Sequence, residues 1–240
     1  MGYVIVLLVG LCAGVLSGVI GTGSSMMLMP VLVIVFGPQQ AVPIMAIAAI
    51  MGNLGKVFSW WREIDWRACL AYAVTAVPAA MLGVRTLLAL PPHVVELALG
   101  IFFMAMVPSR RWLARRAIKF TLVQLSLIGV FVGFLTGIVV STGPITVPVF
   151  MGYGLVKGAF LGTEAAGSLA VYIAKVATFQ HFGALPFKVI ANGLLIGSSL
   201  MLGTFGARRI VAHMSPTLFT RVVDGLMLTS GLSLLWAAAR

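Results

Sequence analysis

"GVIGTGSSMMLMP" (Gly18–Pro30) lies inside an apolar stretch and interrupts it with two glycines, a threonine and two serines. No Asp, Glu, Lys or Arg precedes Lys56, so the chain is apolar enough for lipid on both sides of the break. In a bilayer the backbone polar groups must be satisfied. Non-helical chain survives there only when it is buried in protein or lines a wet cavity. A similar interruption, "GIVVSTGPITVP" (Gly137–Pro148), returns in a second uncharged run that extends from Phe120 to Val156. Paired interruptions at corresponding places in two halves of a membrane chain point to a transporter's binding site.

Composition supports a membrane setting. Of 240 residues 61% are hydrophobic and only 9% are charged, with a mean hydropathy of +1.12, whereas a soluble domain carries about a quarter charged residues. The N-terminal "MGYVIVLLVGLCAGVLSGVIG" (Met1–Gly21) has no basic leader and no clear cleavage site, so it reads as a first membrane helix. The predicted helices are 3–20, a short 26–36, 40–61, 68–88, 94–108, 120–140, a short 144–156, 160–182, 187–208 and 218–239. The fold class is an all-α polytopic membrane protein. Cys12 and Cys69 fall in apolar segments without a metal or redox spacing and read as buried, inert thiols.

The net charge of +11 reflects topology rather than nucleic acid. Arg110, Arg111, Arg115, Arg116 and Lys119 crowd one loop between membrane segments, which marks the cytoplasmic side. Anionic membrane lipid is the partner expected for that loop. His93, His181 and His213 lie near helix ends, and the five acids fall mostly in loops. They form no nucleophile–base pair and no metal cluster, so neither an enzyme nor a cofactor is expected.

The chain also reads as a duplication. Gly10, Gly14 and Gly18 map onto Gly129, Gly133 and Gly137 with an offset of 119, and Lys56 maps onto Lys175 with the same offset. Ser17 maps onto Thr136, Pro30 onto Pro148, Gly83 onto Gly206 and Arg85 onto Arg208. The expected organisation is membrane repeat 1 at 1–108, a basic cytoplasmic linker at 109–119 and membrane repeat 2 at 120–240. Each repeat holds four to five membrane segments, one of them interrupted. Five crossings per half would invert the repeats and four would leave them parallel; the spacing of the basic groups favours inversion. A homo-oligomer is compatible with this organisation.

At the breaks, glycine lets amides turn toward a ligand. A helix restarting there aims its N-terminal N–H groups into the loop, and such ends attract anions. Gly21, Thr22, Gly23, Ser24, Ser25, Ser141, Thr142 and Gly143 are the candidates for lining a site. The glycines spaced by four read instead as close helix contacts. Lys56 and Lys175, at matched positions, either snorkel to the headgroups or bind an anion, and their duplication favours binding. Asn53 and Tyr172, each three residues before its lysine, share the lysine's helical face. Glu164, eleven residues before Lys175, pairs, titrates or caps, and is the candidate for proton coupling.

The two broken motifs, "REIDW" (Arg62–Trp66), "MLGVR" (Met81–Arg85) and "GTFGARRIVAHMSPTLFTRVVDGLML" (Gly203–Leu228) resemble the TauE/SafE family of sulfite and organosulfonate exporters, also called the toluene-sulfonate uptake permease family. The resemblance runs from about Leu11 to Leu235. It implies a multi-pass transporter of the bacterial inner membrane, with a small sulfur-containing anion as substrate. The competing reading is a lysine-linked chromophore protein of opsin type, in which an intramembrane lysine forms a Schiff base.

Overall fold

Gly129, Gly133 and Gly137 fall on one face of the helix Leu122–Ile138, and Val123, Leu127 and Phe131 stand exposed on another. That division marks this helix: its glycines face protein and these large apolar side chains face outward. The computed structural model describes residues 2–20, 24–114, 119–139 and 142–210, together with Leu228, Leu232 and Leu235. Among the described residues the helices are α1 (Gly2–Ile20), α2 (Ser24–Phe36), α3 (Pro38–Trp60), α4 (Trp66–Ala89), α5 (Pro92–Ala114), α6 (Leu122–Ile138), α7 (Gly143–Gly152), α8 (Lys157–His181) and α9 (Phe187–Ile210). Among the described residues all regular secondary structure is helical. Three of the described segments, Gln39–Glu63, Trp66–Ala89 and Phe187–Phe205, have the length and apolar character to cross a membrane. The helix expected at 218–239 lies outside the described residues apart from the three leucines.

Glycine seams fix the direction of each helix. Gly10 meets Ile196 and Ser199 of α9, and Gly14 meets Leu200 and Gly203, so α1 and α9 run the same way. Gly193 and Gly197 of α9 abut Ile47 and Met51, which aligns α3 with them. On the other side Gly129, Gly133 and Gly137 abut Tyr72, Ala76 and Ala80, so α6 runs with α4. Helix α8 joins this second set, because Asp65 N–H donates to Thr163 (2.9 Å) while Gly167 packs on Tyr72. Against α3 the order of α8 reverses: Gly162 abuts Trp60, and Glu164 pairs with Lys56. Thus α1, α3 and α9 run one way, and α4, α6 and α8 the other.

Hydroxyl groups reinforce the seams. Ser126 Oγ donates to the Ala71 carbonyl at 2.7 Å, and Thr75 Oγ1 donates to the Ser126 carbonyl at 2.7 Å. Lipid gives helices no hydrophobic reason to associate, so close packing and bonds of this kind hold the bundle.

Lysines and arginines are more numerous at one end of the bundle. Trp60, Phe120, Leu155 and Phe160 share one apolar cluster, and Phe120 N–H donates to the Gly152 carbonyl at 3.0 Å. This arrangement brings Arg62, Arg67, Lys119 and Lys157 to the same end of the bundle. The opposite end holds an apolar cavity of about 290 Å³ between the start of α3, the end of α4, the start of α5 and the α8–α9 turn.

Asp65 starts α4 by accepting from the N–H groups of Arg67 (2.9 Å) and Ala68 (3.1 Å). Losing such a cap costs about 1 kcal/mol. Asp65→Ala is therefore expected to melt about 2–4 °C below wild type in a detergent thermal scan, and Asp65→Asn, which keeps the acceptor, to match wild type.

Two expectations need correction. Helix α5 does not stop at Pro108 but continues to Ala114, so the first part of the basic stretch 109–119 is helical. Proline removes one amide and kinks a helix, yet resuming the helix satisfies the remaining backbone groups. Cys12 is exposed on α1 rather than buried, because it lies on the outward side of that helix; Cys69 is buried as expected.

Candidate functional site

Helix α6 ends at Ile138 and α7 starts at Gly143, with Val139 in an extended conformation. Beside this break lies a cavity of about 40 Å³. Its wall is built from Ser17 of α1, Ser24 and Ser25 at the start of α2, Ala49, Gly52, Asn53 and Lys56 of α3, and Tyr72 of α4. Thr136 of α6, Thr142 and Gly143 at the start of α7, Glu164, Ser168, Val171 and Tyr172 of α8, and Leu200 of α9 complete it. Ala49 is the midpoint of α3, so the cavity stands at the middle of the bundle, and it extends toward the basic end.

Of the residues expected to form a site, Lys56, Asn53, Tyr172, Ser24, Ser25, Thr142, Gly143 and Glu164 all line this one cavity. Gly21, Thr22, Gly23 and Ser141 lie outside the described residues. Lys175 is brought close but not in. Its ammonium donates to the Thr136 carbonyl and sits 5.9 Å from the centre of the Phe179 ring, behind the cavity wall. The two lysines do not converge because α3 and α8 are antiparallel. Glu164 is level with Lys56, and Lys175 lies eleven residues further along α8, about 16 Å of helix rise.

Neither lysine snorkels: Lys56 is 5% exposed and Lys175 is 0% exposed. An ammonium in this setting needs a partner. Lys56 Nζ has the Glu164 carboxylate, with Oε2 at 3.7 Å. The other oxygen, Oε1, accepts from Ser168 Oγ at 2.9 Å and from Thr146 Oγ1 at 3.4 Å. Tyr172 of α8 and Ser25 in the first turn of α2 line the same cavity. Thr136 Oγ1 donates to the Val132 carbonyl (2.7 Å), which uses its only proton. Thr142 must then donate to Thr136 across their 2.7 Å contact, and this pair clamps the break.

The site therefore combines a buried cation, a buried carboxylate, two helix starts with their positive ends, and a ring of hydroxyls. It can hold a small anion by charge and by donated hydrogen bonds. Among the described residues no cluster of His, Cys, Asp or Glu is placed to bind a metal. Sequence reasoning missed Ser17, Tyr72 and Thr136 as cavity residues, whereas Ser168, seven residues before Lys175, was legible on the polar face of its helix. The pairing of Ser17 with Thr136 across the repeats was a usable signal, since both fall one turn before a break. For Tyr72 the signal was weaker: one phenol in the apolar helix α4.

Helical membrane bundles with a polar cavity at mid-depth, bordered by broken helices, are built to pass a solute, and this architecture defines a membrane transporter. The profile of the sulfite exporter TauE/SafE family matches residues 6–234. The chain belongs to that family and is a multi-pass membrane transporter, not an enzyme. It is 26% identical over 257 residues to the probable membrane transporter protein YjnA of Bacillus subtilis (strain 168), covering 96% of this chain and 98% of that protein. No solved structure matches it.

Proposed function

We propose that this transporter exports a small sulfur oxyanion of the sulfite type across the bacterial inner membrane, and that the mid-bundle cavity binds it. The observation that carries this reading is Lys56: a lysine 5% exposed that lines a cavity bordered by the starts of α2 and α7. The anion would sit between the ammonium, the hydroxyls of Ser24, Ser25 and Thr142, and the positive ends of the two helices. Cavity size favours a compact substrate. About 40 Å³ is room for about three water molecules at roughly 10–15 Å³ each. Sulfite, with four heavy atoms, is near this volume, whereas an arylsulfonate would need the cavity to open.

Inverted repeats at 1–108 and 120–240, joined through 109–119, suit this function. Corresponding helices α3 and α8 run antiparallel, and α1 packs on α9 as α6 packs on α4. Rocking one half against the other would expose the cavity to each side in turn. The end carrying Arg62, Arg67, Lys119 and Lys157 is the cytoplasmic one by the positive-inside rule, and Lys56 stands toward that end, where an exporter loads. Lys175 is then the next cation on the way out. It contacts Thr136 on one side and, on the other, Phe179, which lines the outer cavity.

Thermal-shift measurements on detergent-purified protein test the reading with sulfite, thiosulfate, methanesulfonate, taurine and acetate. Sulfite is expected to raise the melting temperature most, and acetate to leave it unchanged. Lys175→Ala is expected to keep the sulfite shift yet slow sulfite efflux from proteoliposomes by at least about tenfold. A wild type indifferent to every sulfur anion would refute the assignment.

A further inference from the structure

We propose that Glu164 is a built-in counter-anion that holds Lys56 while the site is empty and must be protonated before the substrate binds, so that each anion moves with a proton. This inference rests on the anion site proposed above and adds its coupling.

Geometry makes Glu164 the exchangeable partner. Its side chain is buried, 4% exposed, and it lines the same cavity as Lys56. One oxygen is fully engaged, by Ser168 and Thr146. The other, Oε2, accepts no hydrogen bond and is held only by charge, 3.7 Å from Lys56 Nζ. A closed ammonium–carboxylate bond spans about 2.7–2.9 Å, so this pair stands apart beside open space.

The groups that face the carboxylate are few. Helix α3 presents Lys56, α4 presents the Tyr72 phenol, α7 presents Thr146, and α8 itself presents Ser168 and Tyr172. Helix α1 brings Ser17, α2 Ser24 and Ser25, and α6 Thr136; Lys175 lies behind the wall at the Thr136 carbonyl. One cation thus serves one anion. A substrate anion placed beside Lys56 with Glu164 still ionised would share a small buried space with a like charge and only one countercharge. Protonation removes the conflict and adds a donor, because a carboxylic acid carries one O–H. The unpaired Oε2 is the oxygen able to carry that hydrogen toward the bound anion.

The step balances simply. A proton from the aqueous phase on the side to which the cavity opens forms the O–H bond at Glu164. Lys56 is released to the substrate, and no electrons move. On the far side the anion leaves, the proton follows it, and the carboxylate returns to Lys56.

Calorimetric titration of the full-length protein in detergent, in two buffers of different ionisation enthalpy, tests this. The probes are methanesulfonate and thiosulfate, which stay ionised across the range used and bring no proton. Wild type is expected to take up about one proton per anion bound. Its Kd is expected to rise with pH, by at most about tenfold per pH unit. Glu164→Gln is expected to bind with no proton uptake and with an affinity independent of pH. Glu63→Gln, which removes an exposed carboxyl at the basic end and outside the cavity, is expected to keep the uptake.

Wild-type binding without proton uptake overturns the proposal and leaves the anion site standing. So does a pH slope that survives in Glu164→Gln, or uptake that is lost in Glu63→Gln. Should Glu164→Gln not fold, the wild-type uptake and the Glu63→Gln result still decide. Binding of sulfite but of neither ionised probe also overturns it, because the substrate would then carry its own proton. Failure of wild type to bind any of the three anions defeats the site itself, and this inference with it.

Discussion

Lys56→Ala is expected to abolish sulfite binding, with no thermal shift at concentrations at least about 100-fold above those that saturate wild type. Hydrogen bonds to charged groups are the strong ones in a buried site, and Lys56 is the charged donor that lines the cavity. Alanine also strands the Glu164 carboxylate, whose Oε2 has only the ammonium beside it. Removing one partner of a buried ion pair costs about 3–5 kcal/mol, so Lys56→Ala should also melt well below wild type before any ligand is added. The two effects are separable. In the double variant Lys56→Gln/Glu164→Gln no charge is stranded, so stability should largely recover while sulfite binding stays lost. Sulfite stabilisation that persists in the double variant would remove Lys56 from the site.

The second large effect is expected at Gly133, far from any charge. A Cβ there would fall on the backbone of Ala76, at its carbonyl oxygen and Cα, and backbone cannot rotate aside as a side-chain tip can. The seam between α4 and α6 would have to part. Parting it strains the reciprocal bonds of Ser126 to Ala71 and of Thr75 to Ser126, both 2.7 Å long. Overpacking costs about 1–3 kcal/mol in an ordinary core, and a backbone obstacle with two hydroxyl bonds behind it should exceed that. Gly133→Val is expected to fail to give a monodisperse peak on detergent size-exclusion chromatography. Phe131→Val, on the lipid face of the same helix and 60% exposed, should run as wild type, within about 0.5 kcal/mol of its stability. A well-behaved Gly133→Val protein would show that the glycine ladder is not a packing seam. Because α4 carries Tyr72 into the cavity, the seam also sets the shape of the site.

Much of this was readable before any coordinates. The break at Gly137–Pro148 showed as hydroxyls, glycine and proline in a segment too apolar to leave the membrane, and α6 ends at Ile138 and α7 starts at Gly143 within it. Glycines at intervals of four marked the seams, since one residue type on one helical face has little use in lipid except close approach. Lys56, Asn53 and Glu164 were legible as polar groups out of place. Helix ends were read less well. The helix expected to end at 108 runs on to Ala114, because the surrounding medium offers the backbone no partner other than a resumed helix.

Residue by residue, the chain already reads as a bundle of membrane helices, with certain side chains too polar for lipid and its helices broken at definite places. These follow from local chemistry: hydropathy and hydrogen-bond demand belong to each residue wherever it sits. Which polar residues meet was decided only by the tertiary structure. Lys56 and Lys175 look equivalent along the chain, yet the antiparallel packing of α3 on α8 sets Lys56 opposite Glu164 in the cavity and leaves Lys175 behind the wall at Thr136. Helix direction and register are properties of pairs of elements, fixed by which small residues let two backbones touch, and no single stretch of sequence contains them.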